Sequence, residues 1–256
     1  MTLCNSYLKW RPHALEKACG FFCCLAKLKI YRIAFNSQRV IFSLMINKSE
    51  NEDSTGHGAR PSWLIKQYCG LAKKGLAVDL SCGQGGDAVY LASRDFEVVA
   101  LDRLQDNLER AYELAESKNV SVDLRNIDPQ EFKFHKERYS AIAANQLFQH
   151  IKKSDASDLA AKIIYSLRKG GLVLGSALTV NDPSYKEIRK KKIAEIEKNC
   201  FQLPNGWIYS FFDTREVLDM FPALQPVYYS ETDYFESERT VESWRGLVEF
   251  VFRKIG

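Results

Sequence analysis

Residues 76–102 read LAVDLSCGQGGDAVYLASRDFEVVALD and hold the densest chemistry of the chain. An apolar run ends in Asp79, and a tight Ser81-Cys82-Gly83-Gln84-Gly85-Gly86 turn follows. A helix-compatible stretch then leads to a second apolar run that ends on Asp102. Strand, glycine turn, helix, strand and acid form the layout of a nucleotide-binding βαβ unit. Gly83 and Gly85 let the backbone approach a ligand with no Cβ in the way. The helix opening near Gly86 and Asp87 points unpaired N–H groups at an anionic group. Asp102, about 20 residues beyond the turn, can accept both hydroxyls of a ribose.

Glycine spacing then narrows the nucleotide. A pyrophosphate fingerprint wants G-x-G-x-x-G, and the residue three beyond Gly85 is Ala88, a tolerated variant. Asp87, however, would set a carboxylate beside the phosphates, and like charges repel. A ligand without phosphate suits the turn better. S-adenosylmethionine offers a ribose for Asp102, a carboxylate for the helix start and a sulfonium cation that tolerates acids.

These residues carry a resemblance. Asp79-Leu-Ser-Cys-Gly-Gln-Gly-Gly-Asp-Ala, with Tyr90-Leu-Ala after it, resembles motif I (D-x-G-x-G-x-G) of the Rossmann-like, class I SAM-dependent methyltransferases. Arg60-Pro-Ser-Trp-Leu-Ile before it and Leu167-Arg-Lys-Gly-Gly-Leu-Val-Leu after it extend the likeness over roughly residues 60–254. Within the family the chain looks most similar to the small-molecule branch of tellurite-resistance and thiopurine-type enzymes. Ser81 stands where the first glycine of the motif usually sits.

The elements that must position this turn are legible in outline. Pro61 at a first helical turn, then Leu64, Tyr68 and Leu71, predicts a helix ahead of the first strand. Residues 106–118 put Leu108, Ala111, Tyr112 and Ala115 on one face of an amphipathic helix. Residues 120–124 and 139–145 read as the third and fourth strands. Ser154-Asp155 can cap a helix that buries Ala160, Ile163, Ile164 and Leu167 and ends at Gly170-Gly171. A fifth strand covers residues 172–178. The alternation predicts a parallel sheet with helices on both faces. Residues 224–229 and 246–253 read as strands with no helical pattern between them. The expected fold is α/β, a Rossmann-like doubly wound sheet of seven strands, mostly parallel, with a C-terminal antiparallel pair.

Ligands of such sheets sit at the carboxyl ends of the strands. Gly83 and Gly85 are therefore expected at the methionine and ribose portion, flanked by Ser81 and Cys82, with Asp79 bracing the loop. Asp102, with Arg103 beside it, takes the ribose. The resemblance implies an adenine contact at Ile127-Asp128 and a methionine contact at Asn145; a turn-initiating Asp128 before Pro129 is the plain alternative. Arg60 either holds the methionine carboxylate or is a surface arginine. Gln149, His150 and Tyr209 are candidates for the acceptor mouth. Methyl transfer is an in-line displacement that needs alignment and water exclusion, and a base is optional for soft nucleophiles. No catalytic base stands out, and no Asn-Pro-Pro-Tyr motif of nucleobase amine methylation follows the fourth strand.

Composition separates the front of the chain from the rest. Residues 1–48 hold eight Lys/Arg against Glu16 alone, a charge of +7, whereas the remaining 208 residues carry −3. A mildly acidic domain argues against a broad nucleic-acid footprint. The only near-continuous apolar stretch of those first 48 residues, 18–26, is too short for a membrane span. Residues 1–53 are expected to be a basic, Cys-rich extension and linker, either targeting sequence or residues upstream of a start at Met45, and residues 54–256 the catalytic domain. Cys4, Cys19, Cys23 and Cys24 lack metal-ligand spacing, so no metal is expected. Scattered Cys69, Cys82 and Cys200 point to a reducing, cytoplasmic location. The run holding Lys186, Arg189, Lys190, Lys191, Lys192 and Lys198 is interleaved with acids and reads as a solvated helix face. The aromatics of residues 207–212 read equally as acceptor lid or core. The leading expectation is methyl transfer from S-adenosylmethionine to a small molecule. The rivals are RNA or protein methylation, a non-catalytic SAM-binding protein, and an NAD-linked oxidoreductase, which Asp87 disfavours.

Overall fold

The computed structural model describes residues 58–236 and 243–256. Expectations for residues 1–57 lie outside the described residues. Helix α1 (Trp63–Tyr68) precedes β1 (Leu76–Asp79), α2 (Gly86–Ala92), β2 (Glu97–Asp102), α3 (Gln105–Ser117) and β3 (Asp123–Asn126). Then come β4 (Tyr139–Asn145), α4 (Lys153–Ser166), β5 (Leu167–Leu178) and α5 (Pro183–Lys190). Three short strands follow, β6 (Glu195–Glu197), β7 (Cys200–Gln202) and β8 (Ile208–Ser210). Helix α6 (Glu216–Asp219), β9 (Leu224–Glu236) and β10 (Ser243–Lys254) complete the order.

Seven strands form one sheet in the order β3-β2-β1-β4-β5-β10-β9. β1 to β5 pair in parallel, and β10 runs antiparallel to both β5 and β9. The expected doubly wound sheet with its C-terminal antiparallel pair is therefore present. Both faces are covered because alternate strand residues feed separate cores. Val78, Ile142 and Val173 pack with α4 (Leu159, Ala160, Ile163) and with Val217 of α6. Ala77, Ala141 and Leu174 pack instead with Leu64 and Ile65 of α1, Leu91 of α2 and Leu108 of α3. Among the described residues no helix is long and apolar enough to cross a membrane.

Several local expectations need correction. β3 lies at Asp123–Asn126, later than residues 120–124. Leu71 and Tyr112 are exposed, since helical spacing alone does not say how wide the covered stripe is. α4 is not capped by Ser154: its start is met by Glu197 of β6, which accepts from the Ser154 amide (3.1 Å) and hydroxyl (2.7 Å). Gly170-Gly171 lie inside β5, where the pairing with β4 slips between Tyr139 and Ala141. The basic run is helical only to Lys190. Beyond it β6, β7 and β8 form a separate antiparallel sheet.

That small sheet is docked at the β4–α4 junction. The Ser210 hydroxyl donates to the Ile151 carbonyl (2.6 Å). Lys153 Nζ binds both oxygens of Glu216 (2.7 and 2.6 Å) and lies over the Phe212 ring. Phe201, Phe211 and Phe212 are buried core residues, so this half of the aromatic run is packing rather than lid.

Candidate active site

Asp79 aligns with Ala100 of β2 and Ala143 of β4, so the carboxyl ends of β1, β2 and β4 meet at one edge. The loop from β1 to α2 crosses that edge, and hydrogen bonds dictate its path. The Cys82 amide donates to the Leu101 carbonyl (2.9 Å), and the Gly83 amide to Asp102 Oδ2 (2.9 Å). Asp102 Oδ1 accepts from the Leu104 amide (2.9 Å) and Asn107 Nδ2 (3.2 Å). Asp102 thus fastens the glycine turn to the start of α3. A carboxylate has about four lone-pair directions, so roughly one is left for a ribose hydroxyl.

The two glycines divide the work that the sequence assigns to both. Gly83 has φ 51°, and a Cβ there would meet no atom within 4 Å, which leaves a bare turn facing open space. Gly85, at φ 86°, would set a Cβ 2.8 Å from Ala111 Cβ. Its missing side chain therefore lets α3 pack against the turn rather than admitting a ligand.

Asp87 is also placed differently from expectation. Instead of facing a phosphate position, its Oδ1 accepts from the Ser62 amide (2.6 Å) and its Oδ2 from Asn145 Nδ2. Asn145 Nδ2 also donates to the Ser62 hydroxyl (2.9 Å), which accepts in turn from the Ile65 amide at the start of α1. One side chain so ties together α1, α2 and β4. Burial raises the Asp87 carboxyl, and the Ser62 and Asn145 hydrogen bonds oppose it.

Asp79 is 2% exposed, and its Oδ2 has no hydrogen-bond partner. Its Oδ1 accepts a long bond from the Ser81 amide (3.4 Å). Burial, then the Asp87 charge, holds its carboxyl well above the usual carboxylate range. A raised native pKa means the folded state holds the proton more tightly than the unfolded one. Stability is then lost as pH rises from the ordinary carboxylate value through the native one. Asp79→Asn should therefore raise the Tm of the ligand-free protein at about pH 7.5, with the gap closing near pH 4.5. A Tm at or below wild type at the higher pH would rule this out.

Arg103 Nη1 lies 3.6 Å from Asp128 Oδ2, and its guanidinium sits 5.8 Å from the Trp207 ring. Asp128 Oδ1 accepts from the Gln130 amide (2.8 Å), which makes Asp128 a turn-former with one oxygen turned to Arg103. Ile127 precedes it, half-buried. Trp207, between β7 and β8, also meets His150 edge-on (5.9 Å), as does Tyr209 (5.4 Å). Gln149 is buried, with its Nε2 3.4 Å from His150 Nε2 and 3.5 Å from Gln146 Oε1. Burial lowers the His150 pKa, the Arg103 charge acts the same way, and a hydrogen bond with the Ile208 backbone opposes both.

The structure thus gathers Asp79, Ser81, Cys82, Gly83, Asp102 and Asn145 at one strand edge. Arg103, Asp128, Gln149, His150 and Tyr209 connect to it through Trp207. Cys82 is a buried thiol that burial holds protonated, so it is no nucleophile. Sequence reasoning missed Ser62 and left Trp207 open between acceptor lid and core. A serine two residues after Arg60, at the start of a helix, signals a cap, but nothing local signals its bond to Asp87. Also missed is the polar row that runs from Asn145 to Ser176 and Glu249, paired across β4, β5 and β10. Glu249 Oε1 accepts from Trp63 Nε1 (2.5 Å).

Known proteins share the fold that carries this site. Residues 77–171 match the family described as a methyltransferase domain. Ubiquinone biosynthesis O-methyltransferases of Rickettsia akari and Rickettsia canadensis are each 24% identical over 108 residues, 42% of this chain. The match spans 42% and 44% of those relatives, less than half of their length. A SAM-dependent methyltransferase from Methanosarcina mazei superposes with TM-score 0.62 at 17% identity, covering 77% of this chain and all of that one. TehB from Haemophilus influenzae gives 0.59 at 16% identity, over 79% and 63% of the two chains. A Burkholderia thailandensis 1,6-didemethyltoxoflavin-N1-methyltransferase, crystallised with S-adenosylhomocysteine, gives 0.57 at 16% identity over 80% of each. The described residues share the fold of these SAM-dependent methyltransferases.

Proposed function

We propose that this protein transfers the methyl group of S-adenosylmethionine to a small-molecule acceptor. The observation that carries the reading is a glycine turn with an open face, bordered by the Asp102 carboxylate and by the buried acceptors Asp79 Oδ2 and Asn145 Oδ1. Such a site suits a ligand with a ribose and an ammonium group. The unpartnered Asp79 Oδ2 and Asn145 Oδ1 are acceptors suited to an ammonium donor, which supports the fit. Asp102 would hold the ribose, Arg103, Ile127 and Asp128 would frame the adenine, and Ser81, Cys82 and Gly83 would line the methionine side. When bound, S-adenosylmethionine supplies an electrophilic methyl carbon. The chain's own residues orient the two reactants and exclude water between them.

Small-molecule acceptors are supported by the named activities of the ubiquinone and toxoflavin enzymes. A nucleic-acid acceptor gains little from α5, since Lys190 pairs with Glu187 (2.8 Å) and Arg189 with Glu195 (3.6 Å). Buried free Cys69, Cys82 and Cys200 fit the cytoplasmic location we propose. We place the start of the catalytic domain near residue 54. Thermal-shift measurement tests the cofactor directly. S-adenosylhomocysteine at about 100 times its Kd should stabilise the protein by about 2.7 kcal/mol, while NAD gives no shift. A shift with NAD alone would end this reading.

A further inference from the structure

We infer that Glu249 anchors the methyl acceptor, and that the acceptor is a small molecule with a positively charged nitrogen a few bonds from the atom that is methylated. The inference rests on the methyltransferase reading and adds the acceptor class and the residue that selects it.

Three observations carry it. The first is placement. Ala143 of β4, Leu174 of β5 and Val251 of β10 belong to the core on the α1 side of the sheet. Two residues nearer the carboxyl edge, and so on that same face, stand Asn145, Ser176 and Glu249. They pair across the three strands, which makes one polar row on an otherwise apolar face. The row begins beside the glycine turn, where Asn145 meets Ser62 and Asp87, and leads away from it. Neighbouring strands lie about 4.8 Å apart, so the row spans about 10 Å between Asn145 and Glu249. That length suits a small molecule held at one end by Glu249 and methylated at the other.

The second is the carboxylate. Glu249 is 7% exposed and alternates with the buried Leu247 and Val251 on its strand. A carboxylate at such a position costs free energy that an apolar side chain would not. Its Oε1 accepts from Trp63 Nε1 (2.5 Å), a neutral donor that fixes the group without cancelling its charge. The phenols of Tyr68 and Tyr228 feel that charge: burial raises both first, and Glu249 raises them further.

The third is the aromatic wall around it. The Trp63 ring lies 6.0 Å from Tyr68 and 5.2 Å from Tyr228, edge-on to both, and the two tyrosines are 5.5 Å apart. Tyr68 is buried, whereas Trp63 and Tyr228 are half-buried, so the group reaches from Glu249 to the surface. Aromatic faces attract a cation, and more so where water is thinned out. An anionic acceptor would meet the repulsion of Glu249, and a neutral one would forgo both attractions. A charged nitrogen has no lone pair, so it serves as the anchor and a second atom of the same molecule takes the methyl group.

The test is calorimetry on the full chain saturated with S-adenosylhomocysteine, with phenethylamine and its neutral counterpart 2-phenylethanol as probes. Wild type should bind the ammonium compound about tenfold tighter or more, the worth of one charge-assisted hydrogen bond. Glu249→Gln keeps an oxygen for Trp63 Nε1 but loses the charge, and should bring the two probes within about threefold of each other. No binding of phenethylamine, no preference for it in wild type, or a preference that survives in Glu249→Gln would each overturn the inference. If that variant does not fold, the two probes on wild type decide alone. No S-adenosylhomocysteine shift in wild type would instead overturn the methyltransferase reading.

Discussion

Gly86→Ala should destabilise the protein by about 3 kcal/mol or more, the upper range for a buried steric insertion. A Cβ on residue 86 would lie 2.5 Å from the Arg60 carbonyl carbon and 2.8 Å from its nitrogen, with the carbonyl oxygen nearer still. All three are backbone atoms, which cannot step aside as a side-chain tip would. The Gly86 amide also donates to the Gly58 carbonyl (2.9 Å), and Asp87 next to it holds the Ser62 amide. Relief therefore requires residues 58–62 to lift off the start of α2. For a domain of this size the loss corresponds to a Tm drop of roughly 6–12 °C. Affinity for S-adenosylhomocysteine should fall with it, because Ser62 and Asn145 lose their shared partner. Differential scanning fluorimetry with and without the ligand checks both effects. A Tm within about 2 °C of wild type would show that the backbone contact yields cheaply.

Replacing Asp102 by Ala should weaken S-adenosylhomocysteine binding by about 1–3 kcal/mol, or roughly 5- to 150-fold, measured by calorimetry. Part of the loss is direct, through the ribose. The rest is indirect, because the Gly83 and Leu104 amides and Asn107 lose the carboxylate that holds the turn against α3. Asp102→Asn separates the two contributions. It keeps one acceptor oxygen for the loop but brings a donor where the second oxygen stood, so recovery of affinity would mark the loop contribution as dominant. Unchanged affinity in Asp102→Ala would remove this residue from the site.

The βαβ unit around the turn is legible in sequence because its signals are local. Apolar runs, a glycine cluster and two strand-end acids all fall within residues 76–102, and the fold reproduces each. What each residue does there depends on partners far along the chain. Gly83 and Gly85 look alike in sequence, yet only Ala111 of α3 decides that one is packed and the other open. Asp87 looks like a barrier to phosphate, while its actual partners, Ser62 and Asn145, stand 25 and 58 residues away. The small sheet escapes pattern reading because three-residue strands of mixed charge show no period. Trp207 owes its importance to contacts with Arg103 and His150 that only the folded chain creates. Asp102 likewise has a part that pattern does not show, since it holds the glycine turn to the start of α3 through Gly83, Leu104 and Asn107.

The order of the sheet bears on how the molecule is made. β10 lies between β5 and β9, so β9 leaves the ribosome without the neighbour that will hold its 13 residues in place. Until residues 243–254 emerge, β5 has no partner on its outer side and Phe250 and Phe252 have not yet closed the core. A pause in translation before residues 243–254 emerge would thus expose two unpaired strand edges at once, a state in which chaperone binding guards against aggregation.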